Sequence, residues 1–383
     1  MTRPKPKVVV AMSGGVDSSV AAALLVEEGY EVVGMMMRLW AEAGAENQPN
    51  RCCTPEQQAD ARRVAHILGI PFYVLDARET FRHQIVDSFI EGHARGLTPN
   101  PCLQCNRHIR FGHLLEQAQA IGAEYLATGH HARVIHAAGE PSRLLRARDE
   151  QKDQSYVLSV LSQAQLQQAL FPIGAYTKAE IRERAAQYGL PSASKKDSQD
   201  LCFLANNDYR SFLSRERPAM MAEGAILRAD GRQLGRHKGL ANYTIGQRRG
   251  LGIGGAQPLY VLELDSRRNA LIVGGKEELA RDAFTVDQVN WQAGQPPAAS
   301  FAALVQIRYR ARAYPAQIQI LADQRVRVSL PEPLPAITPG QGAVFYDEAL
   351  VLGGGIIEKQ GETQDAQGIS SSSEPTAKAI GGT

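Results

Sequence analysis

The sequence lacks any apolar run long enough to cross a membrane, and it lacks a dominant charge of either sign. A membrane-spanning helix needs about 20 consecutive apolar residues, and no such stretch occurs. The formal net charge is +2, so overall charge neither requires nor excludes a nucleic-acid partner, and any basic surface must be local. Residues 1–7 are charged but are not followed by the apolar region and cleavage pattern of a signal peptide.

Cysteine is also scarce, with five residues in a chain of 383. That number is too small for the disulfide framework of a secreted protein of this length. We therefore expect a cytoplasmic enzyme with reactive or metal-binding thiols. The length predicts two or three domains, and the content of 44% hydrophobic and 21% charged residues is typical of a soluble globular protein.

The most informative stretch is residues 11–19, Ala-Met-Ser-Gly-Gly-Val-Asp-Ser-Ser, which directly follows an apolar run at 8–10. A strand, a glycine-rich turn and a helix in this order bring backbone N–H groups and the positive end of a helix dipole to one point, which makes an anion site. Gly14 and Gly15 let the backbone approach a phosphate closely. Asp17 would repel that phosphate unless a cation lay between them, so Mg²⁺ is expected.

The turn is neither a Walker A loop, which requires Gly-Lys-Ser/Thr, nor a Gly-x-Gly-x-x-Gly turn. It resembles the PP-loop of the N-type ATP pyrophosphatases, and the alternative is a turn that only caps a helix. The resemblance implies that ATP is cleaved between its α- and β-phosphates and that an oxygen of the substrate is adenylated. It assigns ATP binding to Ala11, Met12, Ser13, Gly14, Gly15, Val16, Asp17, Ser18, Met37 and Gly129.

The first half of the chain alternates strand and helix patterns, which predicts a parallel sheet covered on both faces. We predict strands at 8–12, 31–37, 72–75 and 123–128, and helices at 18–28, 55–68, 78–95 and 106–121. A further helical stretch is predicted at 163–188. Ligands of such a sheet lie at the carboxyl ends of its strands, where the turn at Ser13 and the segment 128–131 both fall.

From about Gly224 the pattern changes to short alternating segments between Gly, Pro and Asp, which predicts small antiparallel sheets or barrels. We expect strands at 225–228, 259–264, 271–273, 301–308, 317–321, 326–330 and 343–346. The expected domains are an α/β parallel-sheet PP-loop domain at 1–207, a small β-rich domain at 208–280 and a C-terminal β-barrel at 281–358. Residues 359–383 have little apolar content and are predicted to be disordered.

Cys102 and Cys105 lie in a Pro- and Asn-rich segment at the start of a predicted helix, and Cys202 lies in a polar segment. A thiol at a helix N-terminus has a lowered pKa and is more nucleophilic. The alternative for any single cysteine is a small buried apolar residue. The polar loops around Cys105 and Cys202 favour chemistry, whereas Cys52 and Cys53 are either redox-active or incidental.

Six motifs in order resemble those of the bacterial tRNA-specific 2-thiouridylases, and they cover roughly residues 7–358. They lie at 12–18, 99–106, 127–132, 152–156, 197–203 and 246–253. The resemblance implies that ATP adenylates the C2 oxygen of the wobble uridine in the tRNAs for lysine, glutamate and glutamine. A cysteine persulfide then delivers sulfur to that carbon, and AMP and pyrophosphate are released. The implied enzyme is a tRNA-uridine 2-sulfurtransferase.

By the same resemblance Cys105 is the nucleophile and Cys202 carries the persulfide. One thiol would carry the sulfane sulfur, and the other would resolve it by forming a disulfide. The implied partners are the anticodon stem-loop of tRNA and a persulfide donor such as a cysteine desulfurase or a sulfur-relay protein. Contact with the tRNA or its target base is implied for Asn100, Pro101, Cys102, Lys152, Asp153, Gln154, Arg308 and Tyr309.

One position departs from the family pattern, because many members carry Asp where this chain has Cys102. In those members the Asp is assigned as a general acid or base near the target base. Cys102, Cys105 and Cys202 instead supply three thiols, which are too few for a closed structural zinc site but suit a 4Fe–4S cluster with one open iron. Delivery of sulfur from a cluster and delivery from a persulfide both stay open, with the cluster slightly favoured.

A row of arginines is predicted to contact RNA. The segment 307–312 alternates along a predicted strand, so Arg308, Arg310 and Arg312 would share one face and clamp a phosphate backbone. The alternative is a solvated strand face. Aromatic side chains stack on the splayed bases of single-stranded RNA, and the candidates, each with a core position as its alternative, are Tyr156, Tyr243 and Tyr309.

Two other functions fit parts of the sequence. One is another PP-loop adenylating enzyme of the argininosuccinate synthase or GMP synthetase type, against which the thiols argue, because amidating enzymes need none. The other is a non-catalytic, nucleotide-regulated RNA-binding protein, which the β-rich C-terminal half would support. Formation of AMP in the presence of tRNA separates an enzyme from such a binder.

Overall fold

The computed structural model describes residues 6–42, 54–193, 195, 201–204, 208–254 and 257–359. Cys52, Cys53 and the predicted tail beyond Lys359 lie outside these ranges. Within them no helix is long and apolar enough to span a membrane. The described strands form three sheets.

The strands, in chain order, are β1 (Lys7–Ala11), β2 (Glu31–Arg38), β3 (Phe72–Asp76), β4 (Tyr125–Thr128), β5 (Ala132–Ile135), β6 (Arg143–Arg146), β7 (Ala169–Leu170), β8 (Gly224–Arg228), β9 (Gln233–His237), β10 (Tyr260–Asp265), β11 (Ala270–Gly274), β12 (Ala280–Trp291), β13 (Ser300–Gln306), β14 (Tyr314–Ile320), β15 (Val326–Pro335), β16 (Gly342–Asp347) and β17 (Leu350–Ile357).

The α-helices are α1 (Val16–Glu27), α2 (Pro55–Leu68), α3 (Arg78–Phe81), α4 (Asp87–Ala94), α5 (Pro101–Gln104), α6 (Leu115–Ala120), α7 (Ser155–Leu158), α8 (Gln163–Gln167), α9 (Lys178–Gln187), α10 (Tyr209–Glu216) and α11 (Lys276–Leu279). A π-helical segment, Arg82–Val86, joins α3 to α4, and a longer one, Cys105–Leu114, joins α5 to α6. Two short 3₁₀ helices cover Pro218–Met221 and Leu240–Asn242.

The first sheet is parallel, in the order β3-β2-β1-β4-β7. Its central strand β1 buries Val8, Val9 and Val10 completely. A continuous apolar run is what a strand needs when both faces of its sheet are covered. The carboxyl ends of β1, β2 and β4 therefore meet at one edge, as the alternation of strands and helices predicted.

The strands and helices predicted between residues 8 and 128 are all found, although α1 begins two residues earlier than expected and the helix predicted at 106–121 is preceded by α5. The side chain of Asn100 accepts a hydrogen bond from the backbone N–H of Cys102 (3.1 Å) and so caps α5 ahead of the predicted start. The stretch at 163–188 is not one helix. Pro172 ends the helical path between α8 and α9, and the short strand β7 forms in that interval.

The second half confirms the expected β-rich fold. Strands β8 to β11 form a four-stranded sheet, and β12 to β17 form a barrel that closes where β12 pairs with β17. The hairpin β5–β6, from the first half of the chain, extends the barrel sheet because Leu145 lies opposite Leu350. The parallel-sheet domain and the barrel are therefore joined through a shared sheet.

One predicted strand is wrong at its end, because β13 is shorter than the expected strand at 301–308. Arg310 adopts a left-handed φ of 61°, which a strand does not allow. Residues 307–313 connect β13 to β14 and are called the barrel turn below. Arg308, Arg310 and Arg312 do not share a strand face.

Hydrogen bonds hold the barrel on the parallel-sheet domain. The hydroxyl of Tyr156 donates to the carbonyl of Gly342 at 3.1 Å in the buried interface. The Asn290 side chain donates to the carbonyls of Ser159 and Leu161, each at 2.8 Å. Bonds shielded from water resist exchange with solvent, so they fix the orientation of the barrel. This orientation brings the barrel turn to the carboxyl edge of the parallel sheet.

Candidate active site

The PP-loop joins β1 to α1, and its glycines are required by geometry. Gly15 is the N-cap of α1, and Gly14 has a left-handed φ of 72°. A Cβ atom on Gly14 would lie 2.5 Å from the carbonyl oxygen of Gln57. The hydroxyl of Ser18 accepts a hydrogen bond from the backbone N–H of Ser13 (3.1 Å), which closes the turn. The loop therefore keeps a fixed shape at the positive end of a helix.

Gly129 follows β4 and packs directly against this loop. A Cβ atom there would lie 2.5 Å from the backbone nitrogen of Ser18 and 2.7 Å from the carbonyl carbon of Asp17. Only a residue without a side chain permits this approach. Two strand ends and one helix start therefore meet at a single point.

A cavity of about 230 Å³ opens at this edge of the sheet. Its walls come from the PP-loop, the ends of β2 and β4, the helix after Cys105, the start of α9 and the barrel turn. The residues assigned to ATP that line it are Ala11, Met12, Ser13, Gly15, Val16, Asp17, Ser18, Met37 and Gly129. Gly14 is not among the lining residues, and its left-handed backbone fixes the shape of the loop.

A partly buried ion pair lies beside the loop. Lys178, at the start of α9, places its Nζ 2.7 Å from both carboxylate oxygens of Asp17, and His131 Nε2 donates to the same carboxylate at 3.2 Å. Burial alone would raise the pKa of Asp17, but the hydrogen bond from His131 and the charge of Lys178 outweigh it, so the net pKa is lowered. The carboxylate is therefore ionised, with two partners holding it in place.

His131 also carries an orphaned polar atom. Its side chain is 4% exposed, and its buried Nδ1 has no hydrogen-bond partner among the described residues. Such an atom is unfavourable unless something else satisfies it. Because His131 lines the cavity, a bound ligand or water can supply the missing partner.

A second polar chain connects the cavity to the helix that carries Cys105. Arg110 donates to the side-chain oxygen of Asn106 (3.2 Å) and to His130 Nε2 (3.1 Å). His130 Nδ1 lies 2.7 Å from the hydroxyl of Thr128. Burial, together with the charge of Arg110, lowers the pKa of His130 well below its usual value, so the ring is neutral. Its Nε2 accepts from Arg110, and its Nδ1–H donates to Thr128.

The three cysteines in the described part of the chain differ in their surroundings. Cys102 is exposed on α5, Cys105 is buried at the following turn, and Cys202 is half-buried. Cys105 and Cys202 belong to one apolar cluster, which also contains Phe203 and Phe212. The two residues assigned to sulfur chemistry are thus brought to the same region, although they are far apart in the chain.

The expected three-thiol site for an iron–sulfur cluster is not assembled. All three cysteines belong to the described part of the chain, and within that part no group of three or more His, Cys, Asp or Glu side chains is placed to hold a metal ion. A cluster needs its thiolates to converge on one point. The observed geometry does not fit such a group.

The residues assigned to tRNA fall in three places. Lys152, Gln154 and Tyr309 line the cavity, and Asn100, Pro101 and Cys102 lie at the start of the helical segment that leads to Cys105. The remaining two brace the fold. Asp153 pairs with Arg146 at 3.2 Å, and Arg308 donates to the carbonyl of Ala336 and to the hydroxyl of Thr338.

Two of the aromatic residues considered for base stacking are core residues. Tyr156 is 0% exposed and Tyr243 is 6% exposed, so neither can reach a base in this arrangement. Tyr309 is half-buried and keeps a position at the cavity. The alternative of a core position thus holds for Tyr156 and Tyr243.

Five polar residues that line the cavity were given no individual role from the sequence: Arg110, Thr128, His130, His131 and Lys178. His131 occupies a variable place in a recognised motif, and Arg110 follows Cys105 by little more than one helical turn. Lys178 follows the capping residue Thr177, which marks only a helix start. A helix start with a lysine is too common a pattern to indicate a site.

Three family models match successive parts of the chain. Residues 6–206 match the tRNA methyl transferase HUP domain, residues 210–275 match the tRNA methyl transferase PRC-barrel domain, and residues 281–357 match the aminomethyltransferase beta-barrel domain. The first of these alone covers more than half of the chain.

Curated relatives match over nearly their whole length. The tRNA-specific 2-thiouridylase MnmA of Chloroflexus aurantiacus is 50% identical over 352 residues, which cover 92% of this chain and 98% of the relative. The protein of the same name from Roseiflexus castenholzii is 48% identical over 369 residues, with 92% and 99% covered. The U34-tRNA thiolase NcsA from Methanococcus maripaludis, solved with its [4Fe-4S] cluster, is 17% identical with a TM-score of 0.35, covering 57% of this chain and 67% of that one. That structural likeness is too low to support an argument about this site.

Proposed function

The chain belongs to the family of the tRNA-specific 2-thiouridylases, and on that premise we propose that it catalyses ATP-dependent 2-thiolation of the wobble uridine in the tRNAs for lysine, glutamate and glutamine. One observation carries the proposal. The helical segment capped by Asn100 carries both Cys105 and Arg110. Cys105 lies in the apolar cluster that also contains Cys202, and Arg110 lines the cavity beside the PP-loop, called the nucleotide cavity below. An adenylation site and a sulfur-transfer site therefore share one rigid element.

The first step uses the cavity. The PP-loop and the start of α1 bind the phosphates of ATP, with Lys178 and Arg110 supplying positive charge. The C2 oxygen of the uridine attacks the α-phosphate, and pyrophosphate leaves. Preorganised donors of this kind stabilise charge as it develops, because they need no reorganisation during the reaction.

We also propose that Mg²⁺ enters with ATP. Asp17 is the one carboxylate among the described residues that line the cavity, and Lys178 and His131 already hold it. Mg²⁺ commonly takes one or two carboxylates together with substrate phosphates and waters. The metal would neutralise phosphate charge, while Asp17 would supply at most one ligand.

The second step transfers sulfur, and we propose the two-thiol route. The terminal sulfur of a Cys202 persulfide attacks C2, and the C2–O bond breaks as AMP leaves. The thiolate of Cys105 then attacks Cys202 Sγ, which breaks the S–S bond, leaves a thiocarbonyl on the tRNA and forms a Cys105–Cys202 disulfide. An external dithiol reduces this disulfide. The shared apolar cluster of the two cysteines supports this route.

The remaining parts of the proposal concern partners. A cysteine desulfurase or a sulfur-relay protein supplies the persulfide, and the anticodon stem-loop enters beside Cys105. Candidates for tRNA contact remain Asn100, Pro101, Cys102, Lys152, Asp153, Gln154, Arg308 and Tyr309. We propose the same domain limits as before, at 1–207, 208–280 and 281–358.

The test is an assay of iron-free full-length protein with ATP, Mg²⁺, an unmodified tRNA transcript, a small persulfide donor and a dithiol. We expect 2-thiouridine by mass spectrometry and one AMP per product. Cys105→Ser and Cys202→Ser should both reduce thiolation to background, while Cys102→Ser should keep appreciable activity. Wild-type activity that appears only after anaerobic iron–sulfur reconstitution, and that Cys102→Ser abolishes, would establish the cluster route instead. Absence of AMP with the wild-type chain would indicate a non-catalytic binder.

A further inference from the structure

The nucleotide cavity is not built by the parallel-sheet domain alone. Tyr309 and Arg310 of the barrel turn line it, together with the PP-loop. They lie in the part of the chain that matches the aminomethyltransferase beta-barrel domain. A side chain from the barrel therefore reaches a site whose other walls belong to a different domain.

The barrel turn is anchored by the two residues that precede Arg310. Arg308 Nη2 donates to the carbonyl of Ala336 (2.5 Å) and to the hydroxyl of Thr338 (2.7 Å), which ties the turn to the barrel. Tyr309 packs on the core of the parallel-sheet domain, with its ring centroid 6.1 Å from that of Tyr156. The direction of the next residue is thus set by two attachments.

Arg310 itself has an unusual backbone. Its φ of 61° lies in the left-handed region, which is unfavourable for a residue with a long side chain. Strained backbone of this kind persists where surrounding contacts impose it, and it occurs often at ligand sites. In this conformation Arg310 lines the cavity, and its guanidinium lies over the ring of Tyr309, 5.3 Å from the ring centroid.

The charge of the cavity matches a polyanion. Among the described lining residues, the cations are Arg110, Lys152, Lys178 and Arg310, and the one carboxylate is Asp17. Lys178 already compensates Asp17. The remaining positive charge comes from both domains, and a triphosphate is the ligand in this reaction that needs it.

We propose that Arg310 binds the phosphates of ATP, so that the barrel contributes directly to the nucleotide site and ATP binding is coupled to the seating of the barrel turn. The inference rests on the proposed function for the identity of the nucleotide. It changes the role expected for Arg310 from an RNA contact to a nucleotide contact. Its neighbours Arg308 and Tyr309 keep the proposed tRNA contact, so the turn would contact both substrates.

The experiment measures ATP affinity by equilibrium dialysis of the full-length chain with Mg²⁺ and without tRNA. Arg310→Ala should weaken ATP binding by about tenfold, since a charged hydrogen bond contributes about 1.5 kcal/mol or more. The ATP affinity of Arg310→Lys should lie between those of the wild type and Arg310→Ala. Arg312→Ala is the matched control, because Arg312 belongs to the same turn, packs over Tyr314 and is not among the lining residues. The control should retain ATP affinity within about twofold.

The affinity for tRNA without ATP, measured by filter binding, distinguishes the alternatives. We expect Arg310→Ala to leave it within about twofold of wild type. Unchanged ATP affinity in a folded Arg310→Ala variant would overturn the inference, and loss of tRNA affinity alone would assign Arg310 to RNA. Failure of the wild-type chain to bind ATP would refute the proposed function itself.

Discussion

The two walls of the nucleotide cavity are built on different principles. The wall from the parallel-sheet domain consists of strand ends and helix starts, and its polar side chains bind one another, as in the pair Asp17–Lys178. The barrel wall is a single turn in which Arg308 bonds to the barrel, and the Arg310 guanidinium lies over the Tyr309 ring, 5.3 Å from its centroid. Groups that stabilise reacting charge need preorganised positions. The Arg310 side chain on the barrel wall is exposed, so water competes for its contacts.

This comparison predicts where substitutions should have large effects. A change in the first wall leaves a buried charge or a buried polar atom without its partner, which is costly. A change in the barrel wall removes an exposed contact, which water can partly replace. Effects on chemistry should therefore be large in the first wall and small in the barrel turn.

The largest effect is expected for Asp17→Ala. Removal of the carboxylate leaves Lys178 and His131 without the anion that positions them, so formation of AMP should fall by at least about 100-fold. Binding of tRNA should be nearly unchanged. The measurement is release of AMP in the presence of tRNA, with the affinity for tRNA determined separately.

A matched control for Asp17→Ala is Asp76→Ala. Asp76 also lies at the carboxyl end of a parallel strand and pairs with a basic residue, Arg78, at 2.6 Å, but it does not line the cavity. This control should form AMP at a rate close to wild type. A normal rate in the Asp17 variant would show that the first wall is not preorganised for chemistry.

A smaller effect, on stability, is expected for His130→Asn. The pKa of His130 is lowered in the folded chain, so below pH 6.5 the unfolded chain binds a proton that the folded chain does not. Stability from this group is therefore complete above about pH 6.5 and is lost as the pH falls toward the folded-state pKa. The loss is about 1.4 kcal/mol at one unit below the unfolded pKa.

The check is urea unfolding of wild type and His130→Asn at pH 7.5 and pH 5.5. The difference in stability between them should shrink by about 1.4 kcal/mol at the lower pH. His93, whose pKa burial lowers to about 4, titrates in both proteins and therefore cancels. A constant difference would mean that the pKa of His130 is not lowered in the folded chain, so that its ring takes up a proton in the folded chain as readily as in the unfolded chain.

The smallest effect is expected in the barrel turn, for Arg308→Ala. Loss of its two hydrogen bonds should lower the free energy of unfolding by about 1 kcal/mol. The affinity for tRNA should fall several-fold, and the salt slope of tRNA binding should drop by about 1, as for one lost phosphate contact. Binding is measured at several salt concentrations.

Thr338→Val separates the two roles of Arg308. It removes one of the hydrogen bonds that hold the guanidinium but keeps the charge. It should therefore lower stability without changing the salt slope. If Arg308→Ala also leaves the salt slope unchanged, Arg308 only braces the turn, and the barrel wall would have no contact with tRNA through this residue.

Local patterns predicted the elements around the site well. The PP-loop, the strand before it and the helix after it are determined by neighbouring residues, because glycine geometry and apolar periodicity act over a few positions. The cap at Asn100 is also determined by neighbouring residues, but the predicted start of that helix lies too late in the chain. The strand predicted at 301–308 was too long at its end. The alternation of side chains continues through 307–312, but the backbone leaves the strand after Gln306 and is left-handed at Arg310.

The sequence by itself determined the fold class, the strand–turn–helix arrangement at residues 11–19 and the family motifs that contain Cys105 and Cys202. Only the tertiary structure decided which polar groups meet. Lys178 lies 161 positions from Asp17 in the chain, and the barrel turn lies further still from the loop that it faces. Contacts between such distant positions depend on how whole elements pack, and no local spacing records them. The convergence of charge on the cavity is therefore a property of the packed domains.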